Sequence, residues 1–185
     1  IPYDLLSINI GSTPTTGSGA GTPVKPVAPF LDRWQQIVDR SREDPAYIPQ
    51  ITVVGGGAAG VEIALAAEHR LMGRCEVTLI HRDNEILGTA NARTRAILTD
   101  VMMSRGITLN LGTAVTSVDH GVVVTRSGAQ IPADLVLWAT GASAASWPGD
   151  SGLDTDQGGF VRVKPTLEST SHPGVFASGD IASIA

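Results

Sequence analysis

The 185-residue sequence has one cysteine, few aromatic residues and no long apolar run. Because Cys75 has no second cysteine to pair with, an intrachain disulfide and a Cys-x-x-Cys redox pair are both excluded. Cys75 stands just before the apolar segment "EVTLI", which favours a small, half-buried residue over a reactive thiol. The four histidines have no metal-ligand spacing with Cys75, so the sequence predicts no metal site.

Basic residues are also scarce, with 13 Lys and Arg against 18 Asp and Glu and a formal net charge of -5. This balance excludes a global basic surface for nucleic acid or for an anionic membrane. No apolar run approaches the roughly 18 residues that span a bilayer, and the N-terminus carries no signal-peptide pattern. We therefore expect a cytoplasmic protein with small-molecule or protein partners and no nucleic acid partner.

The apolar pattern in the middle of the chain predicts an α/β fold. The segments "ITVV", "EVTLI" and "ITLNL" are typical of buried strands, and helical patterns separate them, from Ala58 to Met72 and within "ANARTRAILTDVMMSRG". In the second helix, one stripe is predicted to hold Ile97, Leu98, Val101 and Met102. This alternation of strands and helices predicts a Rossmann-like parallel sheet.

The rest of the chain has shorter and less regular signals. An antiparallel β-meander is predicted in "AVTSVDHGVVVTRSGAQI", inserted before another buried strand in "DLVLWATGA". Near the N-terminus, a strand from Leu5 to Ile10 precedes "TTGSGAGTPVKPVAP", which we expect to be an irregular linker. The next segment, "FLDRWQQIVDRSRED", predicts a helix, and "FVRV" and "GVFASGD" predict two short strands near the C-terminus. The apolar face of that helix is predicted to contain Leu31, Trp34, Ile37 and Val38.

A Gly-x-Gly-x-x-Gly pattern lies where the first buried strand meets its helix. In this context Gly55 makes the tight turn, Gly57 lets the backbone approach a pyrophosphate, and Gly60 allows close packing of helix and strand. The helix N-terminus supplies N–H donors and the positive end of a dipole. The loop Gly55, Gly57, Ala58, Ala59 and Gly60 is therefore predicted to bind a dinucleotide; a glycine-rich turn without a ligand is the alternative.

The residue that reads the adenosine ribose is expected about 20 residues after this loop, usually as Asp or Glu. Here that position holds His81, followed by Arg82. A carboxylate would repel a 2'-phosphate, whereas the guanidinium of arginine offers donors matched to it, so the pair favours NADP(H) over NAD(H). Two alternatives remain: Asp83 reads the ribose after a one-residue shift, or the basic pair only solvates a strand end.

Four motifs in order, "YDLLSINIGSTP", "VVGGGAAGVEIA", "LVLWATGA" and "GVFASGDIA", resemble those of the FAD-dependent pyridine nucleotide-disulfide oxidoreductase superfamily, which includes type II NADH dehydrogenases. Two of these segments also resemble flavoprotein modules associated with selenophosphate synthetase. The family's first FAD loop does not precede "YDLL" and its C-terminal interface domain does not follow "GDIA", so we expect a fragment of a larger protein.

The resemblance implies a domain order and a set of roles. Residues 1–27 are expected to end the first FAD-domain segment and add a linker, residues 28–145 to form the NAD(P)-binding domain, and residues 146–185 to return to the FAD-binding domain. Gly179 and Asp180 would bind the ribityl chain of FAD, and Glu62 would meet the nicotinamide amide. Thr140 and Gly141 would allow the dinucleotide cofactor to come close to the protein at this strand end. Three of these residues also have a purely structural explanation without a ligand. Asp180 would be a helix N-cap, Glu62 a carboxylate favoured in the first turn of a helix, and Gly141 the end of a strand.

The implied activity is transfer of a hydride from NAD(P)H to FAD and on to an unidentified electron acceptor, with the cofactors supplying the chemistry. For the intact protein, the resemblance leaves open a peripheral location on a membrane. A second hypothesis is a dinucleotide-binding module without turnover in this chain. A dehydrogenase with one cofactor is a third hypothesis, but neither Tyr3 nor Tyr47 is followed four residues later by the lysine of a Tyr-x-x-x-Lys active site.

Overall fold

The computed structural model describes residues 2–184. In chain order the helices and strands are β1 (Leu6–Ile8), β2 (Thr13–Pro14), β3 (Ser18–Gly19), β4 (Thr22–Pro23), α1 (Val27–Glu43), β5 (Gln50–Val54), α2 (Ala58–Arg70), β6 (Glu76–Ile80), α3 (Ala92–Ser104), β7 (Thr108–Asn110), β8 (Val115–Asp119), β9 (Val122–Thr125), β10 (Gln130–Pro132), β11 (Leu135–Trp138), β12 (Ala142–Ser143), α4 (Trp147–Asp150), β13 (Val161–Val163), β14 (Val175–Ala177), a 3₁₀ turn (Gly179–Ile181) and β15 (Ala182–Ile184).

The chain divides into two compact units. The larger unit comprises residues 14–141, and the smaller unit combines residues 1–13 with residues 142–185. The smaller unit is therefore built from two segments that the whole larger unit separates in sequence.

A five-stranded sheet in the order β4-β11-β5-β6-β7 forms the centre of the larger unit. All of its pairings are parallel, which confirms the predicted Rossmann-like sheet. Successive side chains of a strand point to opposite faces, and both faces are buried here. One face packs on residues of α1, α2 and α3, and the other packs on the meander.

Local interactions mark both ends of α3. Asn91 caps α3, since its side-chain oxygen accepts a hydrogen bond from the Thr94 N–H at 2.9 Å. After α3, Gly106 has φ of +76°, a conformation that glycine adopts without strain.

The predicted apolar faces of α1 and α3 are only partly right: Ile37, Val38 and Met102 are buried, but Leu31 is 51% exposed and Ile97 is 52% exposed. An amphipathic stripe is wider than the strip of helix that the sheet covers, so residues at its edge face solvent.

The meander prediction is confirmed, because β8 pairs antiparallel with β9 and β9 pairs antiparallel with β10. The expectation of an irregular linker over residues 15–29 is wrong in part. In that segment β3 pairs parallel with β8, and β4 pairs parallel with β11 at the edge of the main sheet. Each strand is only two residues long and contains Gly19 or Pro23, residue types that are depleted in strands, so the local sequence gives little strand signal.

In the smaller unit, β1 pairs parallel with β14 and β13 pairs parallel with β15. The predicted strands at residues 5–10, "FVRV" and "GVFASGD" are confirmed in shortened form. A separate apolar cluster fills this unit, with Ile8, Val161, Val163, Val175, Ala177 and Ile181 buried at its centre. Across residues 2–184, no helix is both long and apolar enough to cross a membrane.

Candidate functional site

The glycine loop of the larger unit follows β5 at the carboxyl end of the parallel sheet. Gly55 has φ of +123°, and its N–H donates to the Ile80 carbonyl oxygen at 2.8 Å. A Cβ atom on Gly55 would lie 2.3 Å from the Ala139 carbonyl oxygen, and one on Gly60 would lie 1.8 Å from the Gly55 carbonyl oxygen. Neither distance is compatible with a side chain, so both glycines are required by the packing of the protein itself.

Gly57 differs from these two glycines. A Cβ atom built on Gly57 would meet no heavy atom within 4 Å, and the residue is exposed together with Ala58 and Ala59. Gly57 is also the N-cap of α2, and no side chain caps that helix end. The first N–H groups of α2 and the positive end of its dipole therefore face open space beside a backbone without a side chain.

His81 follows β6 and lies against the middle glycine of the loop. Its Nδ1 atom accepts a hydrogen bond from the Gly56 N–H at 3.1 Å, and its Nε2 atom lies 3.3 Å from Asp83 Oδ2. The side chain is 16% exposed. Burial lowers the pKa of His81, and the neighbouring Arg82 adds to this, whereas the carboxylate of Asp83 acts in the opposite direction.

Arg82 and Asp83 are the exposed residues of the same turn. The Arg82 side chain is 80% exposed, and its Nε atom lies 3.8 Å from Asp83 Oδ1. At that distance and exposure the pair stabilises little, so the guanidinium is available to a ligand. The structure thus separates the predicted basic pair: the His81 ring packs on the glycine loop, whereas Arg82 extends into solvent.

Thr140 and Gly141 follow β11, next to the glycine loop in the sheet order. The Thr140 hydroxyl donates to the Thr15 carbonyl oxygen, and the Thr15 N–H donates to the Gly141 carbonyl oxygen at 3.0 Å. Both residues therefore hold the segment that leads to β3, while Gly141 itself is exposed and a Cβ atom there would meet nothing within 4 Å. Glu62 lies one turn into α2 and is exposed.

In the smaller unit, Gly179 and Asp180 lie in the 3₁₀ turn after β14. The pairing of β1 with β14 continues into this turn, because the Ser178 N–H donates to the Ile8 carbonyl oxygen at 3.0 Å. Asp180 Oδ2 accepts a hydrogen bond from the Ser12 hydroxyl at 3.2 Å, although the two residues are 168 positions apart in sequence. The N-cap of the turn is Ser178, so the alternative of a helix N-cap does not fit Asp180.

Sequence reasoning missed two residues of these sites. Gly56 is buried, and its backbone is held on both sides, since its carbonyl oxygen also accepts the Leu87 N–H at 2.7 Å. The signal was present in "GGG", where the motif itself requires only the first and third glycines. Ser12 had no usable signal, because its partner lies at the other end of the sequence.

Cys75 is half-buried, as predicted. Burial, with a smaller contribution from Glu68, raises the pKa of the Cys75 thiol to about 11, so the thiolate is scarce at neutral pH. Within residues 2–184, no three His, Cys, Asp or Glu side chains are grouped in a way that would hold a metal ion.

Comparison with known proteins supplies the context of this geometry. The family description that matches is that of the pyridine nucleotide-disulphide oxidoreductases, over residues 1–185. The chain is 28% identical over 163 residues to the type II NADH:quinone oxidoreductase of Haemophilus influenzae, an alignment that covers 81% of this chain and 35% of that protein. The chain spans about a third of the length of the curated relatives that it matches.

Solved structures are also similar to this chain. The crystal structure of Fdr9 has a TM-score of 0.79 and 28% identity, and the match covers all of this chain and 44% of that chain. An engineered water-forming NADPH oxidase bound to NADPH, a mutant of an NADH oxidase from Lactobacillus brevis, has a TM-score of 0.72 and 25% identity. That match covers 97% of this chain and 40% of the oxidase.

Proposed function

Because this chain belongs to the pyridine nucleotide-disulphide oxidoreductase family, we propose that its larger unit binds NAD(P)H for the reduction of a flavin. One observation carries the proposal, namely the difference among the three motif glycines. Packing of the protein explains Gly55 and Gly60, whereas no protein atom explains the absence of a side chain at Gly57. The approach of a ligand to the N-terminus of α2 does explain it.

The residues present fit the pyrophosphate of a dinucleotide. The uncapped N-terminus of α2 offers backbone N–H donors, and Gly57 allows phosphate oxygens to reach them. Ala58 and Ala59 keep this surface free of bulky or acidic side chains, and α2 has no acidic residue in its first turn. We assign Gly141 to the same surface, because it is exposed and has space where a side chain would stand.

We further propose that the dinucleotide is NADPH. The position after β6 holds a histidine where the ribose of NAD(H) would be read by a carboxylate, and the next residue is the exposed Arg82. The engineered NADPH oxidase offers a chemical parallel, since its substitutions replace an aspartate by alanine and the following alanine by arginine. In this chain Arg82 would bind the 2'-phosphate, for which its planar fork of donors is suited.

The test is a parallel titration of the chain with NADPH and NADH, followed by nicotinamide fluorescence. We expect NADPH to bind more tightly by about tenfold or more, equal to about 1.4 kcal/mol, and Arg82→Ala to lose that difference. Arg126→Ala removes the same charge from an exposed position of the meander and should keep the difference. Tighter binding of NADH with no effect of Arg82→Ala would refute the assignment and favour Asp83 or the backbone as the ribose reader.

Glu62 is proposed to meet the nicotinamide amide. It is exposed on α2, two residues after the last glycine of the loop, and the resemblance described above implies this role for a glutamate there. Thr140 would shape the approach through its backbone, because its hydroxyl already donates to Thr15. Glu62→Gln keeps the size of the side chain, and a loss of hydride-transfer rate with unchanged dinucleotide affinity would support the assignment.

The smaller unit is proposed to contribute to a FAD site. Asp180 is exposed at the carboxyl end of β14, where the parallel pairing with β1 also places Ser12. Gly179 has φ of +70° and keeps the turn narrow beside Asn9. Asp180, as an acceptor for hydroxyl groups, fits the ribityl chain that the family resemblance assigns to it.

The flavin, when bound, supplies the hydride-accepting chemistry that no side chain of this chain offers. The residues of the chain would bind the dinucleotide, orient it and exclude water from the site. The electron acceptor of the whole protein is unidentified; quinone is the acceptor in the name of the Haemophilus influenzae relative, and no residue described above selects it.

A second candidate is a dinucleotide-binding module without turnover. Its support is that the glycine loop, α2 and the β6 turn all lie in one compact unit of a chain that spans about a third of its relatives' length. Addition of FAD and NADPH to the purified chain separates the candidates. Bleaching of flavin absorbance on addition of NADPH supports an enzyme, whereas nucleotide binding without bleaching supports the module.

A further inference from the structure

His81 connects the end of β6 to the glycine loop in a way that the dinucleotide motif does not require. Its Nδ1 atom accepts the Gly56 N–H at 3.1 Å, and a Cβ atom on Gly56 would lie 2.6 Å from His81 Cγ. The ring thus both hydrogen-bonds Gly56 and occupies the space where a side chain at position 56 would stand.

Two residues that follow β6, His81 and Leu87, hydrogen-bond the backbone N–H and carbonyl oxygen of Gly56. The His81 ring takes its N–H, and the Leu87 N–H donates to its carbonyl oxygen at 2.7 Å. His81 is itself held by the sheet, since its N–H donates to the Asn110 carbonyl oxygen at 2.9 Å and its carbonyl oxygen accepts the Thr113 N–H at 2.8 Å. The position of Gly56, and with it the direction of the backbone at Gly57, depends on a ring that is fixed by the strands.

We propose that His81 is a positioning residue for dinucleotide binding, whose neutral ring holds the glycine loop in its binding conformation and whose protonation releases that loop. The inference rests on the proposed dinucleotide site, and it gives that site a pH dependence. His81 acts through Gly56 and need not touch the ligand.

The direction of the effect follows from hydrogen-bond chemistry. An imidazole nitrogen accepts a hydrogen bond only when it carries no proton, so Nδ1 must be bare to receive the Gly56 N–H. The other nitrogen, Nε2, then carries the proton and donates towards Asp83 Oδ2 at 3.3 Å. A second proton would place an N–H at Nδ1 against the Gly56 N–H, and two donors cannot pair.

The charged groups around the ring act in both directions. Asp83 favours the protonated ring and Arg82 disfavours it, and both belong to the turn after β6. Glu85, in the same turn, is engaged by Arg95 with 3.1 Å between Oε2 and Nε. No ionisable side chain occurs in the other segments that pack there, namely β5, the loop 55–57 and residues 110–113. Burial is the largest effect and favours the neutral ring at physiological pH.

The test measures NAD⁺ affinity by calorimetry at several pH values. NAD⁺ is the probe because it has no 2'-phosphate whose own titration would add a pH dependence. We expect affinity in the wild type to be lower at about pH 5.5 than at about pH 7.5, and to fall further as the pH passes below the lowered pKa of His81. His81→Asn places an amide oxygen near the position of Nδ1 and cannot be protonated, so it should bind well at both pH values.

Two further variants complete the comparison. His81→Leu removes the acceptor and should bind weakly at every pH. His120→Asn is the matched control, because His120 also lies beside an aspartate, Asp119, at 3.5 Å but its side chain is 95% exposed. This control should keep the wild-type pH profile. A His81→Asn variant with the same loss of affinity at low pH as the wild type would overturn the proposal.

A second readout separates this proposal from the proposed function. The ¹⁵N shifts of the His81 ring and the amide signal of Gly56 can be followed by NMR through the same pH range without any ligand. If the chemical shift of the Gly56 amide follows the protonation of His81, the ring controls the backbone at Gly56 even if NAD⁺ does not bind. The absence of NAD⁺ binding would then count against the dinucleotide site alone. If the Gly56 amide does not follow His81, the proposed connection is wrong whatever NAD⁺ does.

Discussion

The two units of this chain build their candidate sites in opposite ways. In the larger unit, the stretch Gly55–Gly60 is continuous and runs from the end of β5 into the first turn of α2. In the smaller unit, Ser12 and Asp180 come from the two ends of the sequence and meet only because β1 pairs with β14. A contiguous site can be recognised from local sequence, whereas a divided site exists only after distant strands have paired. The difference also predicts how each site responds to mutation.

The largest effect is expected at Gly60. In Gly60→Ala the new Cβ would lie 1.8 Å from the Gly55 carbonyl oxygen, so the loop must move and the free energy of unfolding should fall by about 3 kcal/mol. Gly57→Ala is the matched variant, since its Cβ meets nothing within 4 Å. It should keep stability in urea unfolding but lose dinucleotide affinity. Equal stability loss in both variants would contradict the distinction between packing and ligand glycines.

The next effect concerns the core of the smaller unit. Ile181 is 0% exposed, and Ile181→Ala should cost about 2–3 kcal/mol because it leaves a cavity. Ile184, which is 67% exposed, provides the control, and Ile184→Ala should change stability by less than about 0.5 kcal/mol. Dinucleotide affinity, measured by nicotinamide fluorescence, should survive in both variants. Its loss in Ile181→Ala would show that the two sites are not separable.

A smaller effect is expected at Ser12. Ser12→Ala removes one partly solvated hydrogen bond to Asp180, which should cost about 0.5–1 kcal/mol in the stability of the smaller unit. Ser146→Ala is a suitable control, because the Ser146 side chain makes no cap hydrogen bond to α4. The affinity of the smaller unit for FAD should fall in Ser12→Ala and not in Ser146→Ala.

At neutral pH the smallest effect on stability is expected at Cys75, which lies in the larger unit. Its pKa is raised to about 11, so the folded state keeps its proton between pH 9 and 11 while the unfolded state loses it, and stability should fall as pH rises through that range. At neutral pH the thiol should react slowly with iodoacetamide. Gly60→Ala should speed this reaction, whereas Ile181→Ala should not, because the single thiol of the chain reports on the larger unit alone.

The central sheet, α2, α3 and the meander were predictable because each is specified by its own residues. The runs "ITVV" and "EVTLI" are buried on both faces, and the Gly-rich segment "GGG" marks the end of the first. The glycine loop was found for the same reason. Its surroundings, a strand before and a helix after, made a weak pattern specific.

Other features depend on contacts that local sequence does not encode. The strands β3 and β4 form only because β8 and β11 offer them unpaired edges about 100 residues further along the chain. In the same way, the sequence placed His81 beside Arg82 as one basic pair. Nothing in "TLIHRD" indicates that the imidazole lies on Gly56 while the guanidinium remains in solvent, because Gly56 comes from a different strand end.

The contact between the His81 ring and Gly56 has a consequence for how this sequence can change over time. A side chain at position 56 is acceptable only if position 81 becomes smaller, and a residue without an acceptor at position 81 leaves the Gly56 N–H without a partner. Each substitution is harmful alone, so the two positions should vary together among homologues. A glycine that the dinucleotide motif leaves free is thereby constrained by a histidine 25 positions away.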